Sequence, residues 1–208
     1  MKICLFGATG RVGSAILADA INCEQITEVT VLVRDALKLN NSSSKVSVIT
    51  GDVTNLEAVK ESLRNANAVV SALSTDGGTA LSEGIKNILV AMNFYQISRL
   101  ITIGTAGILN AQTEFGKLRY QTAESRNKKI TATREHHVVY DLLAQSEVNW
   151  TLVCPTYLPV GEKLGQYRVQ KDFLPKNGTK ISIFDTADFA FQQLFSDQYL
   201  CTRVGITY

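Results

Sequence analysis

Three glycines near the start of the chain constrain its fold more than any other feature. Gly7, Gly10 and Gly13 follow the apolar run Ile3–Phe6 and precede an amphipathic segment, Val12–Ile21. In such a strand–turn–helix unit, the first glycine permits a tight turn, the second lets the backbone approach a pyrophosphate, and the third lets the helix pack on the strand. The helix N-terminus then offers unpaired N–H groups to phosphate oxygens. The spacing therefore predicts a dinucleotide-binding turn made by Gly7, Thr9, Gly10, Arg11, Val12 and Gly13.

Short apolar runs alternate with segments of helical periodicity along the rest of the chain. This order is typical of βαβ units, and mostly apolar strands indicate a parallel sheet with helices on both faces. The predicted strands are Lys2–Phe6, Glu28–Val33, Lys45–Ile49, Ala68–Ala72, Arg99–Ile103 and Trp150–Cys154, and the predicted helices are Gly13–Ile21, Leu56–Leu63, Leu81–Phe94, Ala132–Leu143 and Asp188–Phe195. The fold class expected is α/β, a three-layer doubly wound Rossmann fold with a mostly parallel sheet. With 208 residues and no linker-like stretch, we expect one domain over 1–208.

Composition and charge argue against several classes of protein. The net charge is only +2, and the one small basic cluster, Arg126–Lys129, is interpreted as a solvated loop, so no nucleic-acid partner is expected. The four cysteines lie far apart without zinc-ligand spacing, which indicates reduced thiols rather than a metal site or disulfides. No apolar run is long enough to cross a bilayer. We therefore expect a cytoplasmic protein that binds no metal and no membrane.

The end of the second predicted strand bears on which dinucleotide is bound. Sites for NAD commonly carry an acidic residue at this position, about 20 residues after the glycine turn, whereas sites for NADP tend to carry arginine. Arg34 occupies the strand tip here, and Arg11 lies in the glycine turn. Two guanidinium groups that converge would suit a 2′-phosphate. NADP is therefore favoured, while Asp35 keeps NAD as an alternative, since Arg34 would then pair with Asp35 on the surface.

Later strand ends supply further candidate residues for the cofactor. Asp52 and Val53 follow the third strand, where a carboxylate and an apolar side chain would meet the adenine. The alternative for Asp52 is that it binds backbone groups of its own turn. Leu73 and Ser74 follow the fourth strand and would line the ribose and nicotinamide, unless this segment is simply a flexible glycine loop.

The substrate pocket is predicted at the same edge of the sheet. Ligands of open α/β sheets bind outside the carboxyl ends of the strands, where two long irregular segments begin, around 104–130 and 156–180. Tyr157 and Tyr120 lie in these segments and would stack on a planar acceptor, although packing within the loops would also explain them. The expected partner is a small-molecule acceptor.

Several segments together resemble one superfamily. They are Gly7–Gly13, Val31–Asp35, Gly51–Val53, Ile101–Thr105, Ser146–Pro155 and Ile181–Phe189. The set resembles the atypical short-chain dehydrogenase/reductase superfamily, in particular its small single-domain NAD(P)H-binding branch with biliverdin-IXβ/flavin reductase-like and NmrA-like proteins. The resemblance covers nearly the whole chain. It implies that Arg34 reads the NADP phosphate, that Asp52 and Val53 flank the adenine, and that the cofactor's ribose and nicotinamide lie beside Leu73, Ser74, Thr105 and Pro155.

One feature of the wider superfamily is missing. Its standard members use a Tyr-x-x-x-Lys pair on the helix after the fifth strand for proton transfer. The sole match to this spacing, Tyr167 and Lys171, follows the sixth strand instead. Thr105 and His136 are therefore only weak candidates for a catalytic role. His136 and its neighbour His137 point about 100° apart on a helix, so at most one of them faces the pocket.

The missing pair sets the order of the functional hypotheses. A flavin, a quinone or a similar small acceptor takes its proton from water after hydride transfer, so an NADPH-dependent reductase suits this chain best. The alternative is a redox-sensing regulator that binds NAD(P) and a protein partner without turnover. A nucleotide-sugar epimerase or dehydratase is disfavoured because those reactions need a positioned acid or base.

Overall fold

The computed structural model describes residues 1–39, 43–75, 77–125 and 130–208. The basic cluster Arg126–Lys129 lies outside these residues, so its interpretation as a solvated loop stays a prediction. Within the described part, no helix combines the length and apolar character needed to cross a membrane.

A single eight-stranded sheet forms the centre of the molecule. Its strands are β1 (Lys2–Phe6), β2 (Glu28–Val33), β3 (Val46–Thr50), β4 (Ala68–Ser71), β5 (Arg99–Ile103), β6 (Asn149–Pro155), β7 (Arg168–Lys171) and β8 (Thr202–Thr207). They are ordered β3-β2-β1-β4-β5-β6-β8-β7, and every neighbouring pair is parallel except β7 and β8. The predicted doubly wound, mostly parallel sheet is confirmed.

Helices cover both faces of this sheet. They are α1 (Arg11–Asn22), α2 (Leu56–Leu63), α3 (Ala80–Phe94), α4 (Ile130–Ala144) and α5 (Ile183–Gln192). Side chains alternate along β1, so that Ile3 and Leu5 join the apolar core beneath α1 and α5, while Cys4 and Phe6 join the core beneath α2, α3 and α4. Two separate cores on opposite faces make the three-layer architecture that the sequence predicts.

Two strands and the start of the fifth helix differ most from the sequence prediction. The fifth helix begins at Ile183 rather than near Asp188, because the Ser182 hydroxyl caps it by accepting the Asp185 N–H. The second helix begins at Leu56 as predicted, and Asn55 caps it. The polar edge strand β7 lies inside the predicted irregular segment 156–180, and β8 contains a buried arginine, so neither strand has the apolar pattern on which the prediction depends.

A buried carboxylate at the start of α5 fixes the chain that follows β6. Asp185 accepts hydrogen bonds from the backbone N–H groups of Leu164 and Gly165 and from the hydroxyl groups of Ser182 and Tyr208. Burial raises the pKa of Asp185, but the hydrogen bonds from Tyr208 and the two N–H groups outweigh it, so that the pKa lies below its ordinary value. The charged carboxylate therefore holds the loop between β6 and β7 onto α5.

This arrangement predicts that Asp185→Asn lowers stability by about 2–4 kcal/mol at pH 7, since charge-assisted hydrogen bonds to a buried group are lost. Because the folded pKa is depressed, this contribution is complete above the unfolded pKa of about 4 and is lost as the pH falls through the folded value. Urea unfolding from pH 7 to pH 3 measures it, with the exposed Asp197→Asn as control. Equal losses in the two variants at pH 7 would contradict this account.

Candidate functional site

The glycine turn joins β1 to α1 through contacts that leave no room for side chains. Gly7 has a φ of +78°, and a Cβ there would lie 2.5 Å from the carbonyl oxygen of Ala72 at the end of β4. A Cβ at Gly13 would fall on the carbonyl oxygen of Gly7, whose oxygen also accepts the Gly10 N–H at 2.9 Å. The turn is therefore pressed against both β1 and β4, and the first turn of α1 lies at the carboxyl edge of the sheet.

The N-terminus of α1 differs from the other capped helices that the structure describes. Asn55 accepts N–H groups of α2, Ser182 accepts one of α5, and the Glu135 carboxylate from α4 accepts the Ser82 N–H in the first turn of α3. The cap of α1 is Gly10, and within 1–39, 43–75, 77–125 and 130–208 no side chain binds its N–H groups. The positive end of α1 is thus open to an anion, in the position expected for a pyrophosphate.

The contacts of Arg34 and Asp35, at the end of β2, bear on the choice between NADP and NAD as the predicted cofactor. The Asp35 carboxylate accepts the Leu37 N–H at 3.0 Å and caps a short 3₁₀ turn, Ala36–Lys38. Arg34 is exposed and, among the described residues, forms no ion pair with Asp35. Lys38, which sequence reasoning missed, lines a shallow cavity of about 180 Å³ together with Thr9 of the glycine turn.

Arg11 is turned toward a different part of the edge than expected. Its guanidinium donates to the carbonyl oxygen of Leu158, in the loop after β6, at 3.2 Å. The expected convergence of Arg11 with Arg34 is therefore not what the structure shows. Arg11 instead ties the glycine turn to the loop after β6, where Lys163 forms an ion pair with Asp188 at 2.8 Å.

Behind β3, Asp52 binds its own turn. Its Oδ1 accepts the Thr54 N–H at 2.9 Å and the Thr54 hydroxyl at 2.8 Å, and these bonds, with the Arg34 charge nearby, hold the pKa of Asp52 below its ordinary value. The turn alternative thus holds, and a contact with adenine stays a prediction. Val53 packs so closely on α3 that a Cβ at Gly84 would lie 2.8 Å from its Cγ1.

The ends of β4, β5 and β6 bring the other predicted residues to one edge, because these strands are neighbours in the sheet. Leu73 is half-buried and Ser74 is exposed after β4. Thr105, after β5, accepts the Gly107 N–H through its hydroxyl oxygen at 3.4 Å, which leaves the hydroxyl hydrogen free to donate. Pro155 is buried at the end of β6, whereas Tyr157 is 72% exposed and open to a ligand.

The aromatic and histidine candidates on α4 and the loop before it have structural contacts. The Tyr120 hydroxyl and His137 Nδ1 are 3.0 Å apart, and His137 Nε2 lies 3.7 Å from Asp141, so Tyr120 pins its loop to α4. His136 is partly buried, and burial lowers its pKa to about 4. It is therefore neutral near pH 7 and is no proton donor as a cation.

The Tyr167 and Lys171 pair is confirmed to be misplaced for catalysis. The Tyr167 hydroxyl donates to Asp188 at 3.3 Å, and Lys171 lies on β7, an outermost strand of the sheet. Burial first, and then the Asp188 charge, raise the pKa of Tyr167 well above its ordinary value. A phenol with a raised pKa is a poorer proton donor than an unperturbed one.

A buried arginine fixes the loop that follows Thr105. The Arg203 side chain on β8 is 4% exposed and donates to the Ile108 carbonyl oxygen, to Asn110 and to Asp172 at 2.6, 2.8 and 3.2 Å. Its guanidinium also lies 4.1 Å from the ring centroid of Tyr140 on α4. Sequence reasoning missed Arg203, since its three partners come from distant segments. The guanidinium of Arg203 therefore holds the loop after β5 in place through its hydrogen bonds.

The chain is similar to a known protein family and to individual known proteins. A family model described as NAD(P)H-binding matches residues 7–197. The uncharacterized protein YwnB of Bacillus subtilis (strain 168) is 29% identical over 206 residues, which cover 93% of this chain and 91% of YwnB.

Two solved structures are similar over essentially the whole chain. A protein from Bacteroides thetaiotaomicron, named as a candidate epimerase, is 27% identical with a TM-score of 0.87 and covers 100% of this chain and 96% of that one. A candidate NADH-flavin reductase, SP1627 of Streptococcus pneumoniae TIGR4, is 26% identical with a TM-score of 0.83 and covers 100% and 99% of the two chains.

The Arg203 contacts predict a local effect that a matched variant isolates. Arg203→Lys keeps the charge but loses the planar fork, so we expect a loss of about 2–4 kcal/mol and faster amide exchange at 106–110. Arg99 is the control, since it is also largely buried and donates to the carbonyl oxygens of Asn149 and Gln193. Arg99→Lys should destabilise the protein while the amides at 106–110 stay protected in native-state exchange. Similar exchange in the two variants would show that Arg203 has no local role.

Proposed function

This chain belongs to the NAD(P)H-binding family, and from that premise we propose that it is an NADPH-dependent reductase. It would pass a hydride from the reduced nicotinamide to a flavin, a quinone or a similar small acceptor. The observation that carries the proposal is the open N-terminus of α1. This helix start lies at the carboxyl edge because Gly7 and Gly13 allow close backbone contacts that a Cβ at either position would prevent. This is the arrangement that pyrophosphate binding requires.

The residues present fit a dinucleotide with a 2′-phosphate. The α1 N–H groups would bind the pyrophosphate, and Arg34 and Lys38 would bind the extra phosphate beside Thr9. Asp35 is the residue that would prefer the ribose hydroxyls of NAD, but its carboxylate already caps the turn at Leu37. Arg34 acts on Asp52 through its charge, but neither Arg34 nor Lys38 forms an ion pair among the described residues. Cations of this kind favour phosphate, and this supports NADP over NAD.

On the side of the proposed acceptor, the chain's own residues would orient and enclose the acceptor, and they would not supply a strong acid. When bound, the reduced nicotinamide supplies the hydride. Thr105 has a free hydroxyl hydrogen, His136 is neutral, and the exposed ring of Tyr157 offers a face for stacking. Flavins and quinones take their protons from water, so these groups suffice for their reduction. We propose that the loops around 104–130 and 156–180 form the pocket of this single domain.

The similarity to a candidate NADH-flavin reductase supports this reaction class, although the similarity to a candidate epimerase is equally strong. Epimerisation needs a positioned acid or base, and Tyr167 with Lys171 lies between β6 and β8 rather than on α4, while the Tyr167 hydroxyl is engaged with Asp188. A second proposal is a redox-sensing regulator with a protein partner. It is favoured by the sequence of α4, which is described over its whole length and carries no Tyr-x-x-x-Lys pair.

Arg34→Ala tests the choice of cofactor. The variant should weaken NADPH binding by about tenfold to a hundredfold and NADH binding by less than about twofold, because only NADPH carries the 2′-phosphate. Nicotinamide fluorescence titration measures both constants, and Arg64→Ala, beyond the end of α2, serves as the control. Equal effects of Arg34→Ala on NADPH and NADH would refute the NADP assignment.

An acceptor screen tests the reaction itself. With purified protein and NADPH, we expect loss of nicotinamide absorbance at 340 nm when riboflavin or a naphthoquinone is added, since these acceptors need no protein acid. Tight calorimetric binding of both NADPH and NADP⁺ without reduction of any acceptor would favour the sensor. Absence of cofactor binding would contradict both functions.

A further inference from the structure

We propose that Arg11 couples the two halves of the site, because a pyrophosphate bound at the start of α1 fixes its guanidinium, which then holds the loop that carries Tyr157. Arg11 is thus a positioning residue that acts on the acceptor through this loop. The inference rests on the proposed function, since it concerns how a bound cofactor prepares the place of the acceptor. It comes from the hydrogen bond between Arg11 and Leu158, which joins the glycine turn to a loop 147 positions later in the chain.

The start of the loop after β6 is held from two sides. The carbonyl oxygens of Tyr157 and Pro159 accept N–H groups just before α5 and at its first residue, at 3.0 and 3.2 Å. The carbonyl group of Leu158, between them, binds Arg11 instead, as expected where successive groups alternate in direction along an extended chain. The Leu158 side chain packs on the core beneath α1 and α5. Arg11 therefore holds the side of this loop that faces the glycine turn.

The Arg11 guanidinium can bind a phosphate without leaving Leu158. The bond to Leu158 uses Nη1, and no group among the described residues binds Nε or Nη2. These two nitrogens form an edge with which arginine binds phosphate oxygens bidentately. Arg11 is also the first residue of α1, and the NAD(P)H-binding family model, which begins at residue 7, indicates a dinucleotide at this helix start. One planar cation can therefore bind the pyrophosphate and the Leu158 carbonyl oxygen together.

The cost of ordering the Arg11 side chain couples its two partners. Arg11 is exposed and, in the described part of the chain, makes a single hydrogen bond, to a neutral carbonyl oxygen at 3.2 Å. Holding a long, exposed side chain for one such bond costs rotamer freedom. A phosphate that has already fixed the guanidinium removes this cost from the bond to Leu158, and the result is positive cooperativity without a change of fold. Tyr157 is the neighbour of Leu158 and 72% exposed, so its ring is what the ordered loop presents to an acceptor.

Native-state amide exchange with and without NADP⁺ tests the coupling without any acceptor. Saturating NADP⁺ should slow exchange at 158–162 in the wild type by about fivefold or more, because the loop opens less often once Arg11 is fixed. In Arg11→Met, saturated with NADP⁺ at its own affinity, the two rates should agree within about twofold. A merely structural Arg11 would instead speed exchange in both states and leave their ratio as in the wild type.

A matched variant and two further ligands serve as controls. Arg168 is also exposed and donates to a backbone carbonyl oxygen, that of Lys176 at 2.7 Å, so Arg168→Met should keep the wild-type response. NAD⁺ carries the pyrophosphate without a 2′-phosphate, and at saturation it should protect 158–162 as NADP⁺ does. Adenosine 2′-monophosphate carries the 2′-phosphate alone and should give no protection.

Riboflavin binding connects the loop with the acceptor. Flavin fluorescence quenching, titrated with and without NADP⁺, should show about fivefold tighter binding with NADP⁺ in the wild type and no change in Arg11→Met. Because coupling is reciprocal, riboflavin should tighten NADP⁺ binding by the same factor. Neither measurement involves turnover, since flavin and cofactor are both oxidised.

Failure of the coupling can be told from failure of the reductase. If NADP⁺ leaves exchange at 158–162 unchanged in the wild type, if Arg11→Met keeps the wild-type ratio, or if riboflavin binding ignores NADP⁺, the role of Arg11 is wrong and the reductase is unaffected. If NADP⁺ protects the loop through Arg11 while no flavin or quinone is bound or reduced, the coupling to the cofactor holds and the reductase fails. If NADP⁺ does not bind, both fail.

Discussion

The rest of the site depends on how closely the first turn of α1 approaches the end of β1. A side chain at Gly13 would overlap the carbonyl oxygen of Gly7, and one at Gly7 would overlap the backbone of Ala72 on the neighbouring strand. These contacts bring the positive end of α1 to the line where β1 and β4 finish. Any larger residue would push the helix away from the sheet, and its N–H groups would no longer lie beside the other strand ends.

The helix starts along this edge are capped in different ways. At one end, the start of α1 has no side-chain cap among the described residues, and Arg34 and Lys38 follow β2, an arrangement that suits the proposed binding of phosphate. Glu135 fills the corresponding position on α3 at the other end. Helices that follow parallel strands in a doubly wound sheet direct the positive ends of their dipoles to this edge, where side chains bind N–H groups at the starts of α2, α3 and α5. These side chains are Asn55, Glu135 and Ser182.

Much of the fold could be predicted from the sequence, because the signals for it are local. The glycine turn and the apolar strands β1, β2 and β5 were predicted with the bounds that the structure has. Strand β8 could not be predicted, since its buried Arg203 is acceptable only with Ile108, Asn110 and Asp172 around it, and these residues lie far away in the chain. The start of α5 was missed because Ser182 competes with Asp185 as a cap, and only the position of β8 and Tyr208 decides between them.

For the site, the positions of the residues could be predicted from the sequence, but their chemical roles could not. Parallel strands place Leu73, Ser74, Thr105 and Pro155 at one edge whatever their contacts are, which is why their location follows from the strand order.

Roles depend instead on partners that the sequence leaves open. Asp52 binds Thr54, Tyr120 binds His137, and Arg11 binds Leu158 across 147 positions of the chain. These side chains already have hydrogen-bond partners, and His136 is neutral. Among the described residues of the proposed acceptor pocket, they therefore leave no strong proton donor. Such a site fits the proposed reduction of a flavin or a quinone, in which the protein positions the reactants and the proton comes from water.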